Sequence, residues 1–380
     1  MEGGAGSGEQ RARDGGCGAG PAGTPCPVSS HNEWDPLEEV IVGRLEGARV
    51  PPYHISVSYN LPPTPAKLSR FVGGRRYPRL LTKPAQRELD EFIHILRAEG
   101  VIVRRPELMN FGHRVATPHW KSTGFCIACP RDGFLVVGDE IIETPMSWRS
   151  RHFEPLAYRA LFQEYFQGGA RWTAAPRPAL RDSLFESHYR RPGPDEPVRY
   201  VINESELVFD AADFVRCGRD LFVTKSNVTN TLGIEWVRRH LGHGYRVHEV
   251  ESRCRNPMHI DSSFMPLAPG KVMVNPDYID TTRLPAVLRS WDVLVAPYPD
   301  PTPRWWSLFS MSSAWINMNV LMLDDKRVIV EKSQTSMIRA LSDWGFTPIG
   351  CPFTNFAPFG GSFHCATLDV RRRGCLQSYF

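Results

Sequence analysis

The sequence predicts a single α/β domain built as a five-module, pseudo-symmetric propeller. Three observations carry that prediction. A helix–stop–strand unit recurs five times after residue 33, paired apolar runs about short polar turns lie between the units, and no Pro/Gly/Ser linker divides residues 27–380. A module with one apolar face must stack it on its neighbours, and five modules set radially bury those faces around a central axis. The rival architecture, an open sheet binding a nucleotide, lacks its signature: no GxGxxG or GxxxxGK[ST] stands at a strand-to-helix junction.

Taken in chain order, residues 1–26 are Gly-rich and contain no aromatic residue. They bury too little apolar surface to offset the entropy of ordering and read as a disordered tail, leaving 27–380 as the single folded domain. The first strand is EEVIVG. The first helical unit is LDEFIHILRAEG, in which Leu89, Phe92, Ile93 and Leu96 recur at helical spacing and Gly100 supplies a left-handed stop before VIVRRP. The unit returns as LAYRALFQEYFQGGARWTAAP, LGIEWVRRHLGHGYRVHEV, LPAVLRSWDVLVAPYP and MIRALSDWGFTPIGCPF. Hairpin signals are FLVVGDEIIET, FVRCGRDLFVT, MPLAPGKVMVN and VLMLDDKRVIV, turning near Gly138, Gly218, Gly270 and Asp325. The remaining hairpin is assembled from EEVIVG and the distant CATLDVRRRG, which closes the ring.

The 380 residues are 42% hydrophobic and 23% charged, and a chain of this length buries roughly three quarters of its unfolded surface. That excludes disorder as its main state. No apolar run approaches the ~18 residues of a membrane span, and the start lacks the basic-then-apolar order of a secretory signal. A cytoplasmic protein is expected, with organellar import left open. The net charge is +4, and apart from Arg371, Arg372 and Arg373 the basic residues are scattered, so no nucleic-acid footprint is present. Nine cysteines without framework spacing read as free thiols of a reducing compartment. Cys126 and Cys129 form a CxxC with no second ligand pair, which argues against zinc. His240 and His243 read as polar caps at a helix end.

Candidate chemistry lies elsewhere. Cys365 falls in a β-rich run just after Gly360 and Gly361, where backbone can approach a ligand closely. His364 is adjacent, but alternation along a strand turns it to the opposite face, so a catalytic base must come from a distant segment. NPMHIDSSF offers His259 and Asp261, alternating as though on one face of a strand. FDAADF places Asp210 and Asp213 in an apolar strand, where carboxylates are costly unless a cation satisfies them, and PRDGFLVV places Asp132 at a strand entrance. One thiol, one imidazole and several carboxylates suit nucleophilic cysteine chemistry on a guanidinium, which carboxylates bracket through charge-assisted hydrogen bonds.

SSHNEWDPLEEVIVG, CPRDGFLVVGDEIIETPMSWRSR, FDAADFVRCGRD, NPMHID and GSFHCATLDVRRRGCLQSYF resemble the L-arginine:amine amidinotransferases, the family of the glycine and inosamine-phosphate enzymes. VTNTLGIEWVRRHL, MPLAPGKVMVNPDYID, LRSWDVLVAPYP and KRVIVEKSQ resemble its saxitoxin-pathway branch. The resemblance spans residues 27–380 and implies a pentein-like propeller, in agreement with the repeat. It implies Cys365 as nucleophile, His259 as general acid and base, and Asp210 as the carboxylate orienting His259. Asp132 and Asp261 match guanidinium ligands, and Ser312, Ser313, Tyr278 and Met258 match substrate-contacting positions; Asp213 has no assigned role.

The activity so implied is ping-pong transfer of the amidino group of L-arginine, through an amidino-cysteine, to a primary amine, releasing L-ornithine. Neither cofactor nor metal is implied, and the family resemblance points to a homodimer. One departure bears on the acceptor. Glycine and inosamine enzymes carry an arginine resembling a carboxylate anchor after the NP dipeptide, whereas NPDYID puts Tyr278 there. A tyrosine has no charge to pair with a carboxylate, so glycine is expected to be a poor acceptor and a less anionic amine, of the saxitoxin-pathway type, a better one. The alternatives are a glycine amidinotransferase serving creatine synthesis and a deiminase-type hydrolase that makes citrulline.

Overall fold

Five three-stranded sheets, each an antiparallel hairpin extended by one parallel strand, carry the architecture of the computed structural model, which describes residues 25–61, 63–303 and 310–380. The first sheet begins with β1 (Leu37–Val42), followed by α1 (Arg79–Ala98) and β2 (Ile102–Arg104), parallel to β1. The second comprises β3 (Phe134–Val137), β4 (Glu140–Glu143), α2 (Arg159–Gln167) and β5 (Arg171–Ala174). The third comprises β6 (Phe214–Cys217), β7 (Asp220–Val223), α3 (Thr231–Leu241) and β8 (Arg246–Glu249). The fourth comprises β9 (Phe264–Ala268), β10 (Lys271–Val274) and β11 (Asp292–Val295). The fifth comprises β12 (Leu321–Met322), β13 (Arg327–Glu331), α4 (Thr335–Asp343) and β14 (Thr347–Cys351). Finally β15 (Thr367–Arg372) returns to pair antiparallel with β1, setting Val40 opposite Asp369. The chain's two ends thus complete the first sheet as expected.

Three hairpins turn on glycines at φ of 61°, 69° and 75° (Gly138, Gly218 and Gly270), the left-handed conformation that two-residue hairpin loops require. The fourth helical unit differs from expectation: between Pro285 and β11 the chain makes a 3-10 turn, Ala286–Ser290, and not an α-helix. So short a segment cannot recover the cost of α-helix nucleation. The tail expected over residues 1–26 lies outside the described residues apart from Pro25 and Cys26, and Cys26 is buried.

Leu89, Phe92, Ile93 and Leu96 of α1 are all buried, each contributing about 1.5–3 kcal/mol by the usual area relation. Phe92 meets the rings of Phe353 and Phe363 at 5.3 and 5.1 Å between centroids, and Phe363 precedes Cys365 by two residues. Core packing of α1 therefore reaches the segment that carries the candidate nucleophile. Near the axis lies a buried ionic cluster that sequence reasoning did not anticipate. Arg216 on β6 grips Glu33 through Nε and Nη2, both at 2.9 Å, and reaches Asp369 on β15 at 2.7 Å. Arg131 and Arg372 also meet Asp369, at 2.6 and 2.5 Å.

Candidate active site

Each sheet's first-sequence or closing strand is entered through a short turn, and these five turns deliver the site. Asp132 stands on the turn Pro130–Gly133 before β3, and Asp210 caps the 3-10 turn Ala211–Asp213 before β6. His259 caps Ile260–Ser262 before β9, Asn319 ends Ile316–Met318 before β12, and Cys365 lies on the turn before β15. Expectations of strands at Asp210, Asp213, His259, Asp261 and Cys365 are corrected accordingly. Apolar alternation resumes only after the turns, so the pattern of each strand was extended too far toward its N-terminus.

Two backbone features shape the site. His259 has φ 62° and ψ 129°, a conformation costly for a residue with a Cβ, and it persists because surrounding contacts fix it. Gly361 has φ 157°, and a Cβ there would sit 2.4 Å from Cys365 Sγ, so the sulfur packs directly on backbone. A helix-like bond from Ala366 N–H to the Ser362 carbonyl, 2.9 Å, closes the Cys365 turn.

Donor and acceptor atoms of Asp132, His259 and Cys365 all lie within 4.8 Å of one another, and all three residues are buried. His259 Nε2 is 3.1 Å from Asp210 Oδ2, while Nδ1 faces Asp132 Oδ1 at 3.6 Å. Arg151 donates to Asp132 Oδ2 at 2.6 Å and holds Glu154 through Nε and Nη2, both at 2.9 Å. Among the described residues, Asp132 Oδ1 and Asp210 Oδ1 are buried without a hydrogen-bond partner. The Cys365 thiol donates to Asp261 Oδ2 at 3.5 Å, and the Asn319 carboxamide N–H donates to Cys365 Sγ.

His364 corrects a second expectation. On a turn, adjacent side chains do not alternate as they do on a strand, and its Nδ1 lies 2.8 Å from the same Asp261 oxygen that meets the thiol. Asp213 is satisfied on one oxygen by Ser226 Oγ at 2.6 Å and stands behind the His259–Asp210 pair. Sequence reasoning missed Arg151, Glu154 and Asn319; only their proximity in space marks them.

Charge follows this geometry. Burial alone would push the His259 imidazole down, but Asp132, Asp210 and Asp213 outweigh it and hold the group up at about 10. Burial pushes the Cys365 thiol well up, the Asp261 and Asp132 carboxylates add to that, and Asn319 pulls it down. Burial also raises Asp213, to about 7, and raises Asp210 against the pull of His259. For Asp261 burial acts upward, yet hydrogen bonding and charge from His364 leave the carboxyl below its usual value.

His259, Asp261 and Cys365 open onto a cavity of about 1170 Å³. Met258, Tyr278, Ser312 and Ser313 line it, while Asp132 borders a smaller pocket behind it. Met258 Sδ accepts from Tyr59 Oη at 3.6 Å, Ser312 Oγ donates to the Ala357 carbonyl, and the Tyr278 ring stands edge-on to Trp315. Arg191, Arg253 and Arg255 share the cavity wall, cationic groups that no motif announced.

No family model matches the chain. It is 48% identical over 356 residues to an L-arginine:L-lysine amidinotransferase of Pseudomonas savastanoi pv. phaseolicola, covering 93% of this chain and 96% of that protein. It is 45% identical over 369 residues to the mitochondrial glycine amidinotransferase of Gallus gallus, covering 95% and 86%. The solved structure of SxtG, an amidinotransferase of saxitoxin biosynthesis from Microseira wollei, matches with TM-score 0.87 and 55% identity over 93% of this chain and all of that one. A DDAH from Pseudomonas aeruginosa, 14% identical with TM-score 0.53 over 88% of this chain and 99% of that one, shares the pentein fold alone. Among the described residues no helix is long and apolar enough to cross a membrane. The chain belongs to the amidinotransferase family and is a transferase.

Proposed function

We propose that this amidinotransferase takes its amidino group from L-arginine, carries it on Cys365, and passes it to a primary amine larger and less anionic than glycine, of the saxitoxin-pathway type. The observation that carries the reading is the convergence of Cys365, His259 and Asp132 within 4.8 Å at a cavity walled by Tyr278. The thiol is held up by burial and by two carboxylates, so a guanidinium seated between Asp132 and Asp261 is what favours the thiolate.

The sulfur attacks the guanidinium carbon, forming the S–C bond. Imidazolium His259 gives its proton to the departing nitrogen, the C–N bond breaks, and ornithine leaves. The acceptor amine then attacks the amidino carbon and surrenders one proton to His259. The C–S bond breaks, restoring the thiolate and yielding a substituted guanidinium. Asp210 orients His259, and fixing the planar cation against the sulfur contributes up to about 7–11 kcal/mol in favourable cases. Water must be excluded, because hydrolysis would discard the group.

Tyr278 offers a hydroxyl but no positive charge, and the cavity far exceeds the volume of glycine. Arg191, Arg253 and Arg255 on the same cavity supply positive charge for the donor's carboxylate. What weighs against glycine is the size of the cavity and Tyr278 standing at the anchor position, not a lack of cations in the cavity. The relative of 55% identity is an amidinotransferase of the saxitoxin pathway, which supports an acceptor of that pathway's type. The test is mass spectrometry of protein incubated with arginine alone, followed by discharge with glycine, lysine and larger amines. An amidino adduct on Cys365 with ornithine release is expected; citrulline in place of an adduct would assign hydrolysis, and preferential discharge by glycine would assign a glycine amidinotransferase.

A further inference from the structure

We infer that His364 is a positioning residue that holds Asp261 ionised and oriented for the donor guanidinium; the inference rests on the reading of Asp261 as a guanidinium ligand. The His364 ring is 1% exposed. Its Nδ1 lies 2.8 Å from Asp261 Oδ2 and its Nε2 lies 3.2 Å from Glu33 Oε2. An imidazole facing a carboxylate oxygen from each nitrogen donates on both sides only as the imidazolium.

That ring is itself locked. Glu33 is gripped by Arg216 through two bonds of 2.9 Å, and Arg131 Nη1 stands 3.6 Å from the same Glu33 oxygen that meets His364. Arg131 Nε also donates to the His364 carbonyl at 3.3 Å. A continuous run of buried charge therefore links the axial cluster, through Glu33 and His364, to the carboxylate beside the nucleophile. The groups facing Asp261 are His364, the Cys365 thiol and the His259 imidazole; those facing His364 are Asp261, Glu33 and Arg131.

The geometry at Asp261 assigns the role. His364 and the thiol both approach Oδ2, so Oδ1 is the oxygen left for a ligand in the cavity that Asp261 lines. A buried carboxyl without a cationic partner gains its proton more readily, and the neutral acid cannot hold a guanidinium. His364, next in sequence to the nucleophile, thus acts on donor binding through Asp261 without touching the reacting atoms.

The test measures adduct formation from arginine across pH in wild type, His364→Asn, Asp261→Asn and the double variant, with thermal unfolding recorded for each. His364→Asn is expected to raise the arginine KM roughly tenfold or more and to move the acid limb of kcat/KM to higher pH. The double variant should be no worse than Asp261→Asn, because the first residue acts through the second. Glu33→Gln, which removes the partner on the far side of the ring, should shift the limb in the same direction. Additive penalties, or an unmoved acid limb in both His364→Asn and Glu33→Gln, overturn the proposal while leaving Asp261 as a ligand. Unimpaired arginine use by Asp261→Asn overturns the ligand reading, and the proposal with it.

Discussion

The Asn319 carboxamide nitrogen lies 3.2 Å from Cys365 Sγ, while its oxygen accepts from the backbone N–H groups of Cys365 and Ser362 at 3.2 and 3.0 Å. One side chain from the turn before β12 thus fixes both the Cys365 turn and its sulfur. Burial, Asp261 and Asp132 push the thiol up, and this N–H pulls it down. Asn319→Asp keeps the shape but replaces the donor with an acceptor. A hydrogen bond to a charged group contributes about 1.5–3 kcal/mol, so kcat should fall roughly tenfold to a hundredfold. Alkylation by iodoacetamide should require higher pH than in wild type; an unchanged alkylation profile would show that Asn319 does not act on the sulfur.

Cys365→Ala should abolish turnover and remove the arginine-derived adduct while leaving arginine binding measurable by calorimetry. The substitution removes only the sulfur, and the carboxylates proposed to hold the guanidinium, Asp132 and Asp261, remain. Retained turnover would exclude the sulfur as carrier.

Much of the frame was legible in the sequence. The stripe Leu89, Phe92, Ile93 and Leu96 marked α1, and Gly138, Gly218 and Gly270 marked hairpins, because helical spacing and positive φ leave local signatures. CATLDV could be matched to EEVIVG as the missing half of a hairpin. Turns before the strands were not legible: the Asp–Ala–Ala–Asp run sits among apolar residues that read as one strand, the His–Ile–Asp spacing matches strand alternation, and only tertiary packing bends them. Glu33, Arg216 and Asp369 were hidden for another reason. Their partners lie 153 to 183 residues apart, and sequence carries no local trace of such pairs.

Tyr278→Arg should raise the use of glycine and other carboxylated acceptors relative to apolar amines. Tyr278 lines the cavity beside Ser313 and carries no charge, whereas an arginine there presents a planar fork of donors suited to a carboxylate. Competition between glycine and a larger amine for the charged enzyme reads the effect directly. An unchanged product ratio would remove Tyr278 as a determinant of acceptor choice.

His259 links stability to pH. Its value in the folded protein is raised from 6.5 to about 10, with burial opposing the shift and Asp132, Asp210 and Asp213 producing it. A raised value means that folding favours the protonated ring, so the contribution is complete below 6.5 and is lost as pH rises through about 10. Urea unfolding of wild type and His259→Gln should show a stability gap that narrows across that window. A gap that is constant, or widens with pH, would contradict a charged imidazole between these carboxylates.

Arg216→Met should cost about 3–5 kcal/mol of stability, because it strips two buried carboxylates of a shared cation. Arg216 is fully buried and bonds Glu33 and Asp369 from β6, with Asp369 on the strand that closes the first sheet. The surface pair Arg104–Glu164 provides the contrast. It is shorter, at 2.6 Å, but its side chains are 28% and 59% exposed, so Arg104→Met should cost under about 1 kcal/mol. Urea unfolding of the two variants separates distance from burial as the source of the effect. Equal penalties would mean that the axial ions contribute no more than surface ions do, and that apolar packing alone closes the ring. The larger penalty at Arg216, accompanied by weaker arginine binding through Glu33 and His364, would show the same charges serving fold and site.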